Sequence, residues 1–173
     1  MGRRGFTLVE LLVVLAVGSI LLAIAVPGYA FLVNAGRLAT VTNDLVTALH
    51  LARSEAVKRG TRVTVCKTGN AGTPMPACDA TANWHEGWLV FVDDGTPGVI
   101  DTGDVMLRVQ DTVHSAAIIT TGVNYSRYVS YLPNGGSRGL TLPNGTIQIC
   151  VSGNRRDIII NNMGRPRLFS GSC

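Results

Sequence analysis

The first third of the chain carries apolar residues in two successive patterns. Between Phe6 and Val33 the only charged residue is Glu10, and this run of 28 residues would extend about 42 Å as a helix, enough to cross a bilayer. Beyond it, apolar residues recur every three or four positions, which predicts a helix packed on a core: Leu38, Val41, Leu45, Leu49, Ala52 and Ala56. The two patterns together predict one helix of about 80 Å.

Two residues within this helical pattern and one at its end act as breakers. Pro27, followed by Gly28, removes a backbone hydrogen bond, which predicts a bend in the membrane half of the helix. Gly60 directly follows the basic pair Lys58 and Arg59, which is typical of a helix C-terminus. The helix is therefore predicted to end at Arg59.

From Thr61 onward the apolar period changes to two, which is typical of strands. Seven short apolar segments are separated by turns rich in Gly, Pro, Asn and Asp: 62–66, 88–92, 105–109, 117–120, 128–132, 146–150 and 156–161. Their number and spacing predict antiparallel strands in a sandwich-like pair of sheets. The predicted fold class is α+β, a long N-terminal helix whose second half packs on an antiparallel β domain.

The N-terminus carries a motif that identifies a class. A five-residue basic leader ends at Gly5, and the block Gly5-Phe6-Thr7-Leu8-Val9-Glu10 follows it. This block resembles the processing motif of type IV prepilins, and the leader arginines place that end on the cytoplasmic side. The resemblance implies cleavage by prepilin peptidase between Gly5 and Phe6, N-methylation of Phe6, and a single-pass bacterial inner-membrane protein whose periplasmic or extracellular domain enters a pilus.

The resemblance also implies a division of the chain. Residues 1–5 are the cleaved leader, 6–33 the membrane-spanning and filament-core half of the helix, 34–60 its amphipathic half, and 61–173 the β domain. A carboxylate within an apolar helix costs about 2.5–3.5 kcal/mol and is usually functional. In pilins its partner is the N-terminal amine of a neighbouring subunit, so Glu10 is expected to pair with the Phe6 amine and set the axial register of the filament.

The rest of the chain is similar to one pilin subgroup, the FimT/FimU minor pilins and the H-type minor pseudopilin of type II secretion. The matching segments are 52–56 before Arg59-Gly60, 87–93, 144–150 and the ending Gly164-Arg-Pro-Arg167. The resemblance therefore covers nearly the whole chain and implies a structural subunit with other pilins and minor pilins as partners.

Charge is distributed unevenly along the chain. The net charge is +4, but residues 61–126 carry three basic and seven acidic side chains, whereas residues 127–173 carry six arginines and one acid. Such asymmetry is typical of a surface that binds a polyanion. A solvated basic rim is the alternative.

The C-terminal arginines are the candidate binding residues. Arg155 and Arg156 begin a predicted strand, and Arg165 and Arg167 lie in the Gly-Arg-Pro-Arg loop after it, so a hairpin could bring the two pairs together. Arginine is well suited to phosphate recognition. In FimT-like pilins a Gly-Arg-x-Arg ending is associated with DNA capture in natural transformation. The resemblance thus implies sequence-independent binding of double-stranded DNA by Arg165 and Arg167, supported by Arg155, Arg156 and Arg138; contacts to neighbouring minor pilins are the alternative.

The four cysteines predict two disulfides in an exported domain. Three pairings are possible, and proximity in sequence favours Cys66–Cys78 and Cys150–Cys173. The acidic segment 93–104 does not have the spacing of a calcium loop and is predicted to be a solvated hairpin loop. The histidines show no metal-ligand spacing, and no nucleophile or phosphate-loop motif is present.

These observations predict a non-enzymatic minor pilin near the filament tip, without metal or cofactor, that assembles through its helix and captures DNA. Two alternatives remain open: an H-type pseudopilin of type II secretion, and a structural tip initiator that binds only other pilins.

Overall fold

The structure is a computed structural model that describes residues 7–173, except for the side chain of Pro27. The chain divides into two units at Gly36/Arg37. In the first unit, the described residues from Leu8 onward are helical and mostly exposed. By length and composition this stretch belongs to a helix that could cross a membrane.

Helix α1 (Leu8–Arg59) begins and ends with recognisable caps. The Thr7 hydroxyl accepts a hydrogen bond from the backbone N–H of Glu10 (3.2 Å), and the Glu10 carboxylate lies 3.5 Å from the backbone nitrogen of Thr7. This reciprocal arrangement is a capping box. At the other end, Gly60 has φ +68° and its N–H donates to Ala56. The assigned helix is continuous through residue 27, and the bend expected there stays a prediction.

Nine strands follow the helix and form two antiparallel sheets. The strands are β1 (Val63–Lys67), β2 (Trp88–Val92), β3 (Val105–Gln110), β4 (Ala117–Thr121), β5 (Tyr128–Tyr131), β6 (Ser137–Arg138), β7 (Gly145–Val151), β8 (Asn154–Ile160) and β9 (Pro166–Ser172). The first sheet has the order β3-β2-β1-β5-β6 and the second β4-β7-β8-β9. Short 3₁₀ turns occupy Trp84–Glu86 and Val123–Tyr125. The predicted α+β class is confirmed.

The second half of α1 packs on both sheets in one apolar core. All six positions of the predicted helical stripe are buried, from Leu38 to Ala56. They cluster with Val63, Val65 and Val90 of the first sheet and with alternate residues of the second, Ile147, Ile149, Val151, Ile158 and Ile160. The side of each sheet that carries these residues is its core face, and the other side is its outer face.

A second, smaller cluster covers the outer face of the first sheet. Cys66, Leu89 and Phe91 are buried there beneath the segments that carry Cys78 and Ile100. Because both faces of β2 are covered, all five of its residues are buried. The Cys66–Cys78 disulfide, with Cα atoms 5.6 Å apart, ties the loop after β1 to this cluster.

The acidic segment after β2 is the loop of the β2–β3 hairpin, as its sequence predicts, and most of its residues are exposed, but its first residue is not solvated. Asp93 is fully buried and accepts hydrogen bonds from Arg62 (2.7 Å), Thr64 (2.5 Å) and the backbone N–H of Gly98 (2.9 Å). Asp101 and Asp104 accept bonds from backbone N–H groups of the same loop. The acids therefore build the loop, because their carboxylates satisfy backbone donors that no strand partner can reach.

Two of the nine strands were not predicted. Strand β6 has only two residues, too few for an alternating pattern. Strand β9 begins with Pro166 and contains Gly171, residue types that indicate loops. Pro166 is tolerated because it is the first residue of an edge strand, where its missing N–H removes no necessary ladder bond.

Candidate nucleic-acid interface

Strands β8 and β9 form an antiparallel hairpin at one edge of the second sheet. Ile160 pairs with Pro166 next to the turn, and Arg155 pairs with Gly171 near the far end. Core-face side chains of β8 are those of Ile158 and Ile160, so Arg155, Asp157 and Ile159 lie on the outer face. The predicted binding arginines and the second predicted disulfide together involve seven residues. Five of these lie on the hairpin or at its ends: Arg155, Arg156, Arg165, Arg167 and Cys173.

Arg165 and Arg167 are exposed at the turn end of the hairpin. Arg167 was predicted to lie in a loop, but it is in strand β9, opposite Ile159. The loop ends at Arg165. Among residues 7–173, no carboxylate is within ion-pair distance of either guanidinium. The two side chains therefore present uncompensated positive charge and free N–H donors to solvent.

The turn that carries Arg165 is tightly built. Asn161 holds it from both sides: its backbone oxygen accepts from Gly164 N–H (2.8 Å) and its side-chain oxygen accepts from Arg165 N–H (2.9 Å). Gly164 is buried with φ +71°, the left-handed region that favours glycine. The backbone on which Arg165 stands is thus fixed by local hydrogen bonds.

Arg53 of α1 clamps this turn and was not identified from the sequence. Its Nε donates to the backbone oxygen of Gly135 (3.0 Å) and its NH2 group to that of Met163 (3.1 Å). Tyr131 lies beside Gly164, and burial raises the pKa of its phenol, which stays neutral. In the sequence Arg53 resembles any polar residue beside the helical stripe, so only the long-range contact reveals that it positions the turn.

We expect Gly164→Ala to destabilise the domain by about 3 kcal/mol. An added Cβ would overlap the backbone oxygen of Gly135 and lie 2.9 Å from the Tyr131 ring. Left-handed strain contributes about 1 kcal/mol and overpacking about 2 kcal/mol. Thermal unfolding of the oxidised protein measures the loss. Gly153→Ala is the matched control, because Gly153 has φ +83° but open space around its Cβ position, so only the strain of about 1 kcal/mol should remain. Equal losses in both variants would contradict the close packing at Gly164.

Arg155 and Arg156 do not join Arg165 and Arg167, contrary to the prediction that a hairpin brings the pairs together. Arg156 and Ile159, the partner of Arg167, are three positions apart in β8, which is about 10 Å. Arg155 Nε lies 3.0 Å from Asp157 Oδ1, although its N–H is not aligned for a hydrogen bond. Arg156 is on the core face and donates to the hydroxyl of Ser170. Both guanidinium groups are therefore already engaged.

Arg138 belongs to the other sheet, in strand β6. It is exposed and lines a cavity of about 380 Å³ together with Arg62, Tyr128 and Thr141. Its neighbour Ser137 donates to the backbone oxygen of Asn161 (2.9 Å), so β6 lies beside the turn of the β8–β9 hairpin. Arg138 itself is on the opposite, outer face of β6, in register with Ser130, and no described carboxylate is within ion-pair distance of it.

The Cys150–Cys173 disulfide ties the end of the chain to β7, with Cα atoms 6.1 Å apart. Cys173 N–H also donates to Gly153 O (3.0 Å), next to the turn between β7 and β8. The bridge closes a 23-residue separation that contains the whole β8–β9 hairpin, and such closures contribute about 3 kcal/mol. Four of the five predicted binding arginines therefore stand on a hairpin that is covalently anchored at its far end.

The predicted processing site, Gly5 and Phe6, lies outside the described residues. Glu10 is exposed and, besides its predicted role, caps its own helix through Thr7. The Thr-x-x-Glu spacing of Thr7 and Glu10 is the sequence signal that predicts this cap. Among residues 7–173, no group of three His, Cys, Asp or Glu side chains is placed to hold a metal ion.

Comparisons with known proteins bear on both halves of the chain. The family model described as type II transport protein GspH matches residues 41–164, and the prokaryotic N-terminal methylation motif matches residues 1–26. No curated protein matches the chain. The fold is similar to two crystal forms of the type IV minor pilin FimU of Pseudomonas aeruginosa. The first has a TM-score of 0.56 and 20% sequence identity, and the match covers 78% of this chain and 89% of the FimU chain. The second has a TM-score of 0.53 and 20% sequence identity, and the match covers 76% of this chain and 91% of the FimU chain.

Proposed function

We propose that this chain, which belongs to the family of the type II transport protein GspH, is a minor pilin that captures DNA for uptake in natural transformation through its C-terminal hairpin. Its class is that of the type IV minor pilins and pseudopilins, with which it shares the long helix and the paired antiparallel sheets. The expected role is structural and adhesive rather than enzymatic.

The proposal retains the processing that the N-terminal motif implies. Prepilin peptidase removes residues 1–5 and methylates Phe6, residues 6–33 anchor the protein in the inner membrane and later in the filament core, residues 34–60 support the globular domain, and residues 61–173 form it. The matched methylation motif and the apolar helix support this order of events. The domain then stands on the periplasmic side and is carried outward near the pilus tip.

The observation that carries the DNA proposal is the exposure of Arg165 and Arg167 beside each other without a carboxylate partner among the described residues. A free guanidinium binds a phosphate oxygen pair through its planar fork of donors. Arg138, exposed on the outer face of β6, is proposed as a third, supporting phosphate contact. Phosphate contacts of this kind do not read sequence, so binding is expected to be sequence-independent.

Substitution of both Arg165 and Arg167 by alanine should remove most of the DNA affinity. Each phosphate contact contributes about 0.9 to the slope of log affinity against log salt, so three arginines predict a slope of about −3 and the double variant about −1. The measurement is a salt series with labelled duplex DNA and the oxidised full-length chain in a non-ionic detergent. Lys58→Ala/Arg59→Ala is the control, because it removes the same charge from residues that already pair with Glu55.

Two outcomes would overturn the DNA proposal. The first is no binding by the wild-type chain at low salt, and the second is equal weakening by the hairpin variant and the helix-end variant. The second outcome would mean that net charge, rather than the hairpin, attracts DNA. Either result would leave a structural tip subunit, whose partners are found by cross-linking to other minor pilins.

A second candidate function is that of an H-type minor pseudopilin in type II secretion. The observation that favours it is the family model itself, whose description is that of a type II transport protein. A deletion strain separates the two functions: loss of DNA uptake with normal protein secretion supports the pilus, and the reverse supports the secretion system.

A further inference from the structure

Phe169 is an unusually exposed aromatic residue in strand β9. Its relative exposure is 51%, whereas Trp84, Trp88, Phe91, Tyr125 and Tyr131 are at most 2% exposed and Tyr128 is half-buried. Among residues 37–173 it is therefore the one aromatic ring that presents more than half of its surface to solvent. A ring in this position contributes little to the core, since most of its apolar surface remains in water.

The strand register places Phe169 beside the free arginines. Arg167 and Phe169 are two residues apart in β9, so both side chains lie on the outer face, about 7 Å apart along the strand. Ile159, which is opposite Arg167, is also partly exposed at 38%. The outer face of the hairpin thus carries a cationic group and an apolar ring in succession, close to Arg165 at the turn.

The carboxylate opposite Phe169 has a cationic partner. The residue opposite Phe169 on β8 is Asp157, whose side chain is only 16% exposed and lies within ion-pair distance of Arg155. On the next strand, β7, the residue that pairs with Asp157 is the neutral Gln148. With Asp157 and Arg155 paired, the net charge along this face of the hairpin is positive, from Arg167 and Arg165, and an anionic ligand with flat apolar groups complements both features of the surface.

We propose that Phe169 stacks on an unpaired base of single-stranded DNA while Arg165 and Arg167 bind the adjacent phosphates. This inference rests on the proposed DNA-binding function of the same hairpin. Aromatic stacking combined with backbone charge is the general mode of single-strand binding, and it tolerates any sequence because every base has a flat face. In an intact duplex the bases are already stacked on each other, so Phe169 contributes to the binding of single strands and frayed ends only.

The test compares a short thymine oligonucleotide with a duplex of equal length, using the oxidised full-length chain in non-ionic detergent at one low salt concentration. Phe169→Ala is expected to weaken single-strand binding about 5- to 100-fold and duplex binding less than about 2-fold. Phe169→Trp should restore single-strand binding. Leu168→Ala is the matched control: Leu168 is 47% exposed in the same strand but on its other face, and both affinities should stay unchanged.

The duplex arm separates this inference from the proposed function. If duplex binding depends on Arg165 and Arg167 but single-strand binding is unchanged in Phe169→Ala, the stacking proposal is overturned and the proposed DNA-binding function stands. Equal weakening of both DNA forms by Phe169→Ala also overturns it, because a duplex offers unpaired bases only at its frayed ends. Unchanged DNA binding together with loss of the Phe169→Ala subunit from sheared filaments would assign the ring to a contact between subunits, and it overturns the proposal as well.

Discussion

Replacement of Asp93 by alanine is expected to lower the free energy of unfolding by about 3–5 kcal/mol, the usual effect of removing one partner of a buried ion pair. Asp93 is fully buried and accepts three hydrogen bonds, from Arg62, Thr64 and Gly98. Its removal leaves the Arg62 guanidinium without its neutralising partner and the Thr64 hydroxyl and Gly98 N–H without an acceptor. Each buried unsatisfied group adds to the destabilisation.

The same substitution should also loosen the loop after β2. The bond from Gly98 to Asp93 holds that loop against the first sheet, where Gly98 packs on the ring of Tyr128. Tyr128 in turn contributes to the small cluster around Cys66 and Phe91. The loss of one carboxylate is therefore expected to increase hydrogen exchange in residues 94–104 as well as to reduce global stability.

Asp94 provides the control for Asp93, one residue further along the chain. It is exposed and accepts a single bond from the Thr61 hydroxyl, so Asp94→Ala should change stability by less than about 1 kcal/mol. Near-UV circular dichroism of the oxidised chain reports unfolding, because Trp84 and Trp88 are in the core. A difference of less than about 1 kcal/mol between the two variants would show that the buried carboxylate is dispensable.

The helix and the sheets could be predicted because their signals are periodic. The stripe from Leu38 to Ala56 is buried as its spacing requires, and Trp88–Val92 is a strand with both faces covered. Strand β9 could not be predicted in the same way. Its residues are exposed on both faces except for Pro166, so no apolar alternation marks them, and only backbone pairing with β8 makes them a strand.

In the candidate site, too, the sequence predicts which residue types are present but not how they are paired. The number of C-terminal arginines is evident from the sequence, but which of them are free is not. Arg155 is engaged because Asp157 is two residues away on the same face of one strand, whereas Arg165 and Arg167 have no such neighbour. The Arg53 clamp on Met163 joins residues 110 positions apart, a separation that no local pattern reveals.

Neutralisation of Glu10 as Glu10→Gln is expected to exclude the subunit from the filament. We propose that this carboxylate pairs with the methylated amine of Phe6 on a neighbouring subunit. Without it, that amine stays as an unpaired charge among apolar helices, which costs at least about 2.5 kcal/mol, or about 70-fold in an assembly equilibrium. Immunoblots of sheared filaments against total membranes measure the loss.

Glu10 also has a role within its own helix, as part of the capping box, and the charge and the cap can be removed by different substitutions. Glutamine can replace glutamate at this position of a capping box, so Glu10→Gln preserves the helix start and removes only the charge. Thr7→Ala does the reverse: it removes the hydroxyl that accepts from Glu10 N–H and costs about 1 kcal/mol, but it leaves the carboxylate. Mass spectrometry first verifies that both variants are cleaved and methylated.

The two variants are expected to differ strongly in assembly. Thr7→Ala should enter filaments at nearly the wild-type level, since fraying of the first turn does not remove the charge that pairs with the neighbour. If Glu10→Gln assembled as well as the wild type, the axial pairing would be excluded. If Thr7→Ala were lost as completely as Glu10→Gln, the helix cap, and not the charge, would be what assembly requires of Glu10.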